Sequence, residues 1–182
     1  MSFMMLLCST AFAETVTFES SVDKGSISDY NFAGYDEITK DGIKISISSG
    51  MLGYGSHYRI YKGETMTVSS TAGTITNIDI TCIAKDTEKY GPGCFTDPTT
   101  GSYTYNGIVG TWSGAASSIT LTASANQVRA TKIVVTYSTS AATKKAANMS
   151  FSKKSVETVM GQTFTAPTLT KETTAAVTYK SD

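Results

Sequence analysis

The chain has 182 residues, enough for one sizeable domain and part of another. Lys and Arg match Asp and Glu at 15 each and the isoelectric point lies near 6.6, so there is neither a basic field for nucleic acid nor a polybasic membrane patch. Charged residues reach only 16%, whereas the chain holds 30 Thr, 23 Ser and 10 Tyr. β-Branched Thr and aromatic Tyr suit half-exposed pleated faces, so composition points to an all-β chain.

Residues Met1 to Ala13 read MSFMMLLCSTAFA, an apolar run ending in Ala11-Phe12-Ala13. Small residues at −3 and −1 fit the shallow pockets of signal peptidase, so residues 1–13 read as a signal peptide cleaved before Glu14. The run is too short for a membrane anchor, and no transmembrane segment is expected. No Lys or Arg precedes it, so either the true start lies upstream or the signal is weak. Lipidation at Cys8 is disfavoured, because Met5-Leu6-Leu7 puts no small residue before it. Export implies a secreted or cell-surface protein.

The first strand is Thr15–Glu19, with Val16 and Phe18 on one face. Residues 20–41 read as irregular, with Tyr30, Phe32 and Tyr35 as aromatic anchors, and Asp41-Gly42 as a turn. Ile43, Ile45 and Ile47 then alternate with Lys44, Ser46 and Ser48. A Gly-rich stretch leads to a strand at Tyr58–Tyr61, and Lys62-Gly63-Glu64 turns into Thr65–Ser69, a predicted hairpin.

Alternation resumes at Asn77–Ile83, where Ile78, Ile80 and Cys82 share a face. Gly91-Pro92-Gly93 and Asp97-Pro98 mark a loop over 85–100. Further strands are predicted at Ser102–Tyr105, Ile108–Trp112, Ile119–Ala123 and Val128–Tyr137. Eight to ten short strands separated by turns make residues 14–137 a β-sandwich, jelly-roll-like. Residues 138–148 (STSAATKKAAN) read as a linker, and the composition resets from Met149.

The tail NMSFSKKSVETVMGQTFTAPTLTKETTAAVTYKSD resembles the bacterial Ig-like domains of group 2, found in intimin-like and invasin-like surface proteins. The matching stretches are Phe151-Ser152, Val156–Gly161, Phe164–Leu169 and Ala176-Val177-Thr178-Tyr179. The resemblance implies that 149–182 holds the first strands of an incomplete Ig-like domain. Tyr58–Gly63, Tyr90–Gly93, Gly110–Gly114 and Gln127–Tyr137 resemble an uncharacterised module recurring in secreted proteins of gut Bacteroidetes. That resemblance implies a bacterial surface or secreted context and carries over no catalytic residues.

Cys82 and Cys94 lie 12 positions apart. In an exported chain they are candidates for a disulfide worth about 3 kcal/mol; the alternative makes Cys82 a small buried apolar residue in phase with Ile78 and Ile80. His57 is the only His, expected in an exposed loop, and no Gly-x-Ser-x-Gly nucleophile motif occurs. One His and the two Cys that remain after signal cleavage do not make a zinc site, and no Asp-x-Asp-x-Asp-Gly calcium loop or phosphate loop is present. The carboxylates Asp36, Glu37, Asp41, Asp79, Asp86, Glu88 and Asp97 read as turn chemistry rather than a glycosidase pair. No catalytic residue, metal or cofactor is therefore expected.

The aromatics carry the functional reading. Tyr54, Tyr58, Tyr90, Tyr103 and Trp112 fall in or beside Gly-rich loops, and sandwiches that bind carbohydrate stack flat exposed rings on sugar faces. Some of these rings belong in the core, Trp112 foremost. The expected function is a non-catalytic binding or adhesion module, with a glycan or another surface macromolecule as partner. The alternative is a pair of spacer domains carrying an effector or hydrolase domain beyond Asp182.

Overall fold

The structure, a computed structural model, describes residues 12–29, 31–98 and 100–139, and in the tail 149–151, 161, 163 and 169–171. The chain divides into two units, Met1–Ala141 and Ala142–Asp182. The first contains ten strands: β1 (Phe12–Glu19), β2 (Gly34–Lys40), β3 (Ile43–Met51), β4 (Tyr58–Ile60), β5 (Thr65–Ser70), β6 (Thr74–Cys82), β7 (Ser102–Asn106), β8 (Val109–Ala116), β9 (Ser118–Thr122) and β10 (Val128–Thr139). A single 3₁₀ turn, Pro92–Cys94, interrupts the described part of the long loop before β7. Among the described residues no helix is long and apolar enough to cross a membrane.

All ten strands belong to one curled antiparallel sheet, ordered β7-β8-β6-β10-β4-β3-β5-β9, with β1 also pairing β10 and β2 also pairing β3. The three residues of β4 join two arms. On one side they pair with β10 (Tyr58 opposite Ala130, Arg59 opposite Arg129), and on the other with the end of β3 (Gly50 opposite Ile60). Backbones approach so closely there that a Cβ on Gly50 would lie 1.9 Å from the Arg59 carbonyl oxygen. The position therefore demands glycine.

Period-two patterning decides which face turns inward. In one arm Val16, Val135, Ile78, Trp112 and Tyr103 are successive cross-strand neighbours, and all five are buried. In the other, Ile45 faces Val68 and Val68 faces Ile119, while Ile47 faces Met66 and Met66 faces Leu121. The two rows merge into one hydrophobic cluster, as expected when the arms of a curled sheet close on each other. Burying each large side chain contributes about 1.5–3 kcal/mol.

Two irregularities keep the pattern in phase. The β10–β6 register shifts between Ala130 and Lys132 and again between Thr136 and Tyr137. Accordingly the buried set of β10 steps from Ala130 to Ile133, and that of β6 from Ile75 to Ile78. A bulge moves the next side chains to the opposite face, so each strand rejoins the core after its extra residue.

Several expectations are corrected. Residues 34–40 form β2, hidden in the sequence because its inward positions are Asp36 and Ile38 rather than two apolar residues. The Asp41-Gly42 turn is present, with φ of 50° and 75°, and it closes the β2–β3 hairpin. The predicted hairpin of Tyr58–Tyr61 with Thr65–Ser69 does not form. β4 pairs with β3 and β10, and β5 with β3 and β9, because successive stretches of the long β3, residues 43–47 and 50–51, take β5 and β4 in turn. Phe32 and Tyr35 are 70% and 60% exposed and anchor nothing, and Tyr30 lies outside the described residues. β10 runs on to Thr139, taking in the first two residues of the predicted linker. The signal-peptide reading falls on residues 1–11, outside the description, and on the start of β1.

In the tail, β11 (Met149–Phe151) pairs antiparallel with β12 (Leu169–Lys171). The rest of the stretch carrying the Ig-like resemblance lies outside the described residues.

Candidate functional site

The five candidate aromatics separate into two groups. Tyr58, Tyr103 and Trp112 are core residues, fully or almost fully buried. Each uses its polar handle to tie down a loop: Tyr58 Oη donates to Asp23 O (2.7 Å), Tyr103 Oη to Pro92 O (3.0 Å) and Trp112 Nε1 to Thr100 O (2.7 Å). Burial raises the Tyr58 and Tyr103 phenols well above the usual range, so both remain donors at any physiological pH. These three rings offer no binding surface. Tyr54 and Tyr90 are partly exposed, and the structure brings both to the corner where β4 meets β10.

That corner is organised by the only two arginines in the chain, Arg59 and Arg129. They stand directly opposite each other on β4 and β10. The Arg59 guanidinium lies 3.9 Å from the Tyr54 ring centroid, and the Arg129 guanidinium 3.6 Å from that of Tyr90. Arg129 Nε donates to Gln127 Oε1 at 2.9 Å, which fixes the plane of the stack. Lys89 Nζ approaches the same Tyr90 ring at 5.1 Å. Each such contact is worth about 0.5–2 kcal/mol. Lys89 first, and then Arg129, lower the Tyr90 phenol from its ordinary value.

Tyr90 holds its place at a cost. Its φ of 82° is in the left-handed region, unfavourable for a bulky residue. A backbone clasp enforces it: Tyr90 N donates to Gln127 O (3.1 Å) and Arg129 N to Tyr90 O (3.3 Å). The loop over 85–94 is thereby pinned to β10, and the ring is carried to Arg129.

His57 lies beside Tyr54, ring centroids 5.0 Å apart, and it is buried rather than exposed in a loop as expected. Arg59 Nε, always a donor, donates a hydrogen bond to His57 Nε2 at 2.8 Å. The imidazole proton therefore resides on Nδ1, which donates to Ser56 Oγ at 2.8 Å. Burial first, then the charges of Arg59 and Arg129, push the His57 pKa down to about 4. The Ser56–His57 spacing is that of a nucleophile–base pair, but its polarity is reversed. The lone pair is spent on a cation, and the proton already faces the hydroxyl. This pair has no means to activate Ser56.

Beside the cluster runs an open groove of about 380 Å³ lined by Glu19, Ser20, Ser21, Gly55, Ser56, Thr81, Thr131 and Lys132. Its lining is rich in hydroxyls, and Glu19 stands opposite Lys132 across β1 and β10. Ser56 belongs to both features, and β10 supplies Arg129 to one and Thr131 and Lys132 to the other. The cluster and the groove are thus linked through Ser56 and through neighbouring residues of β10.

The expected disulfide is replaced by two free, buried thiols. Cys82 faces the core with Ile78 and Ile80, its pKa pushed up to about 12 by burial and then by Cys94. Cys94 sits in the 3₁₀ turn and donates to Glu88 O at 3.3 Å. Of the carboxylates, Asp79 accepts from Thr111 Oγ1 and Asp86 from Gly107 N. Asp36 is no turn residue: buried in β2, it accepts from the backbone N–H groups of Ser26, Ile27, Glu37 and Leu52 and from Ser26 Oγ. Among the described residues no three His, Cys, Asp or Glu converge on a metal position.

Sequence reasoning found Tyr54 and Tyr90 but missed Arg59, Arg129, Gln127 and the role of His57. The one available signal was Arg59, directly after Tyr58 in the sequence; nothing there tied Arg129 to Tyr90. No family model, curated protein or solved structure matches this chain.

Proposed function

We propose that the first domain is a non-catalytic binding module of a secreted or cell-surface bacterial protein, and that its ligand is a glycan. The observation that carries this reading is that the partly exposed Tyr54 ring packs on His57, whose partner Ser56 lines the hydroxyl-rich groove, while Tyr90 sits on Arg129, two residues before the groove's Thr131. Sugar rings present C–H faces that stack on aromatics and hydroxyl edges that exchange hydrogen bonds with Ser, Thr and Gln. The reversed polarity of Ser56–His57 supports a binding role over hydrolysis. The jelly-roll-like character of the domain, read from the spacing of strands and turns in the sequence, and the Ig-like character of the tail, read from its resemblance, belong to the same proposal.

A glycan array probed with the full chain tests it. Binding to a defined set of glycans, reduced about tenfold or more by Tyr54→Ala, is the expected result. A spacer function is the second reading, favoured by the burial of Tyr58, Tyr103 and Trp112 as loop anchors. It predicts an array without any signal.

A further inference from the structure

The two arginines are the least economical feature of the domain. Like charges directly opposite on neighbouring strands repel, yet the chain places its only two guanidinium groups so, while using Lys at 13 other positions. Both lie over tyrosine rings, and Arg129 is further held by Gln127. Lys89 adds a third cation over the Tyr90 ring, whereas Lys132 in the adjoining groove stands opposite Glu19. Among the described residues no carboxylate pairs with Arg129 or Lys89.

A planar guanidinium held in one orientation is the group best matched to carboxylate or sulfate oxygens, which it binds through two parallel N–H donors. Stacking on Tyr90 removes the rotamer entropy that ordering Arg129 would otherwise cost on binding. We infer that the site takes an acidic glycan, with a carboxylate or sulfate group of the sugar seated on Arg129 and Lys89 beside the Tyr90 ring that holds them. This rests on the glycan reading above and narrows it. Arg59, almost wholly buried, supports Tyr54 and His57 from beneath and adds its field to the same place.

Matched polymer pairs provide the test, by calorimetric titration of the full chain. Polygalacturonate is compared with its methyl ester, and dextran sulfate with dextran, which separates carboxylate from sulfate. Polyglutamate serves as a polyanion without sugar. One acidic polymer should bind at least about tenfold tighter than its neutral partner and than polyglutamate, and binding should weaken with added salt. Arg129→Ala should lower that affinity about tenfold or more with thermal unfolding preserved, and Lys89→Ala, at an exposed side chain, should lower it less. Equal binding of neutral partners, with no effect of either substitution, would overturn the acidic preference and leave the glycan reading standing. Polyglutamate binding equally well would overturn the sugar's part in it. Failure of all the polymers would overturn the inference, and the array would then decide the broader reading.

Discussion

At the scale of single residues, the corner cluster depends on keeping His57 neutral. Folded His57 resists protonation down to about pH 4, whereas an ordinary His gains its proton near 6.5. Between those values the unfolded chain holds more protons than the folded one. The stability contributed by neutral His57 is therefore complete above pH 6.5 and is lost as pH falls toward 4. Thermal unfolding followed across this window should show a steeper decline for the native chain than for His57→Gln. Identical slopes would mean that His57 is not held as described. The two core cysteines make a second residue-scale prediction. With Cys82 pushed up to about 12 and both thiols buried, neither should react with a thiol reagent at neutral pH, and both should react once the chain is unfolded. Failure to label them after unfolding without reductant would instead indicate a disulfide.

Among the elements, β2 and the loops it gathers depend on Asp36. Its carboxylate satisfies four backbone N–H groups drawn from the loop before β2, from β2 itself and from the residue after β3. Asp36→Ala would leave these donors buried without acceptors and should lower stability by about 3 kcal/mol in denaturant titration. A change below about 1 kcal/mol would show that water replaces the carboxylate freely. Asp36 also explains part of what the sequence concealed. Strands with apolar inward residues, such as Ile43-Ile45-Ile47 and Ile133-Val135-Tyr137, announce themselves by alternation. β2 does not, because a charged residue occupies one of its inward positions and its worth appears only when distant amides converge on it. β4 was legible as a strand but not in its partners, since pairing is decided by which edges of β3 and β10 the curled sheet leaves open.

The candidate site was readable only in part for a related reason. Composition and Gly-rich loops single out Tyr54 and Tyr90 together with Tyr58, Tyr103 and Trp112; the core preference expected of Trp112 is met, and Tyr58 and Tyr103 are buried with it. What separates the two groups is strand phase: Tyr58, Tyr103 and Trp112 lie on inward positions of β4, β7 and β8, and each ties its hydroxyl or indole to a loop carbonyl. The arginine pair was invisible because Arg59 and Arg129 are 70 residues apart in the chain and meet only through the register of β4 on β10.

For the whole molecule, the curled sheet is a frame that brings two distant loops, one carrying Tyr54 and the other Tyr90, onto one strand junction beside a hydroxyl-lined groove. Under the proposed binding reading, recognition belongs to that junction rather than to any single motif. The most direct measurement is binding of the full chain to its best array glycan, compared among the native protein, the Tyr54→Ala/Tyr90→Ala double variant and Tyr58→Phe. The account predicts that the double variant loses at least about tenfold in affinity with its thermal unfolding largely preserved. Tyr58→Phe, which loses a buried hydrogen bond, should cost about 1 kcal/mol of stability and leave affinity unchanged. Undiminished binding by the double variant would contradict the account.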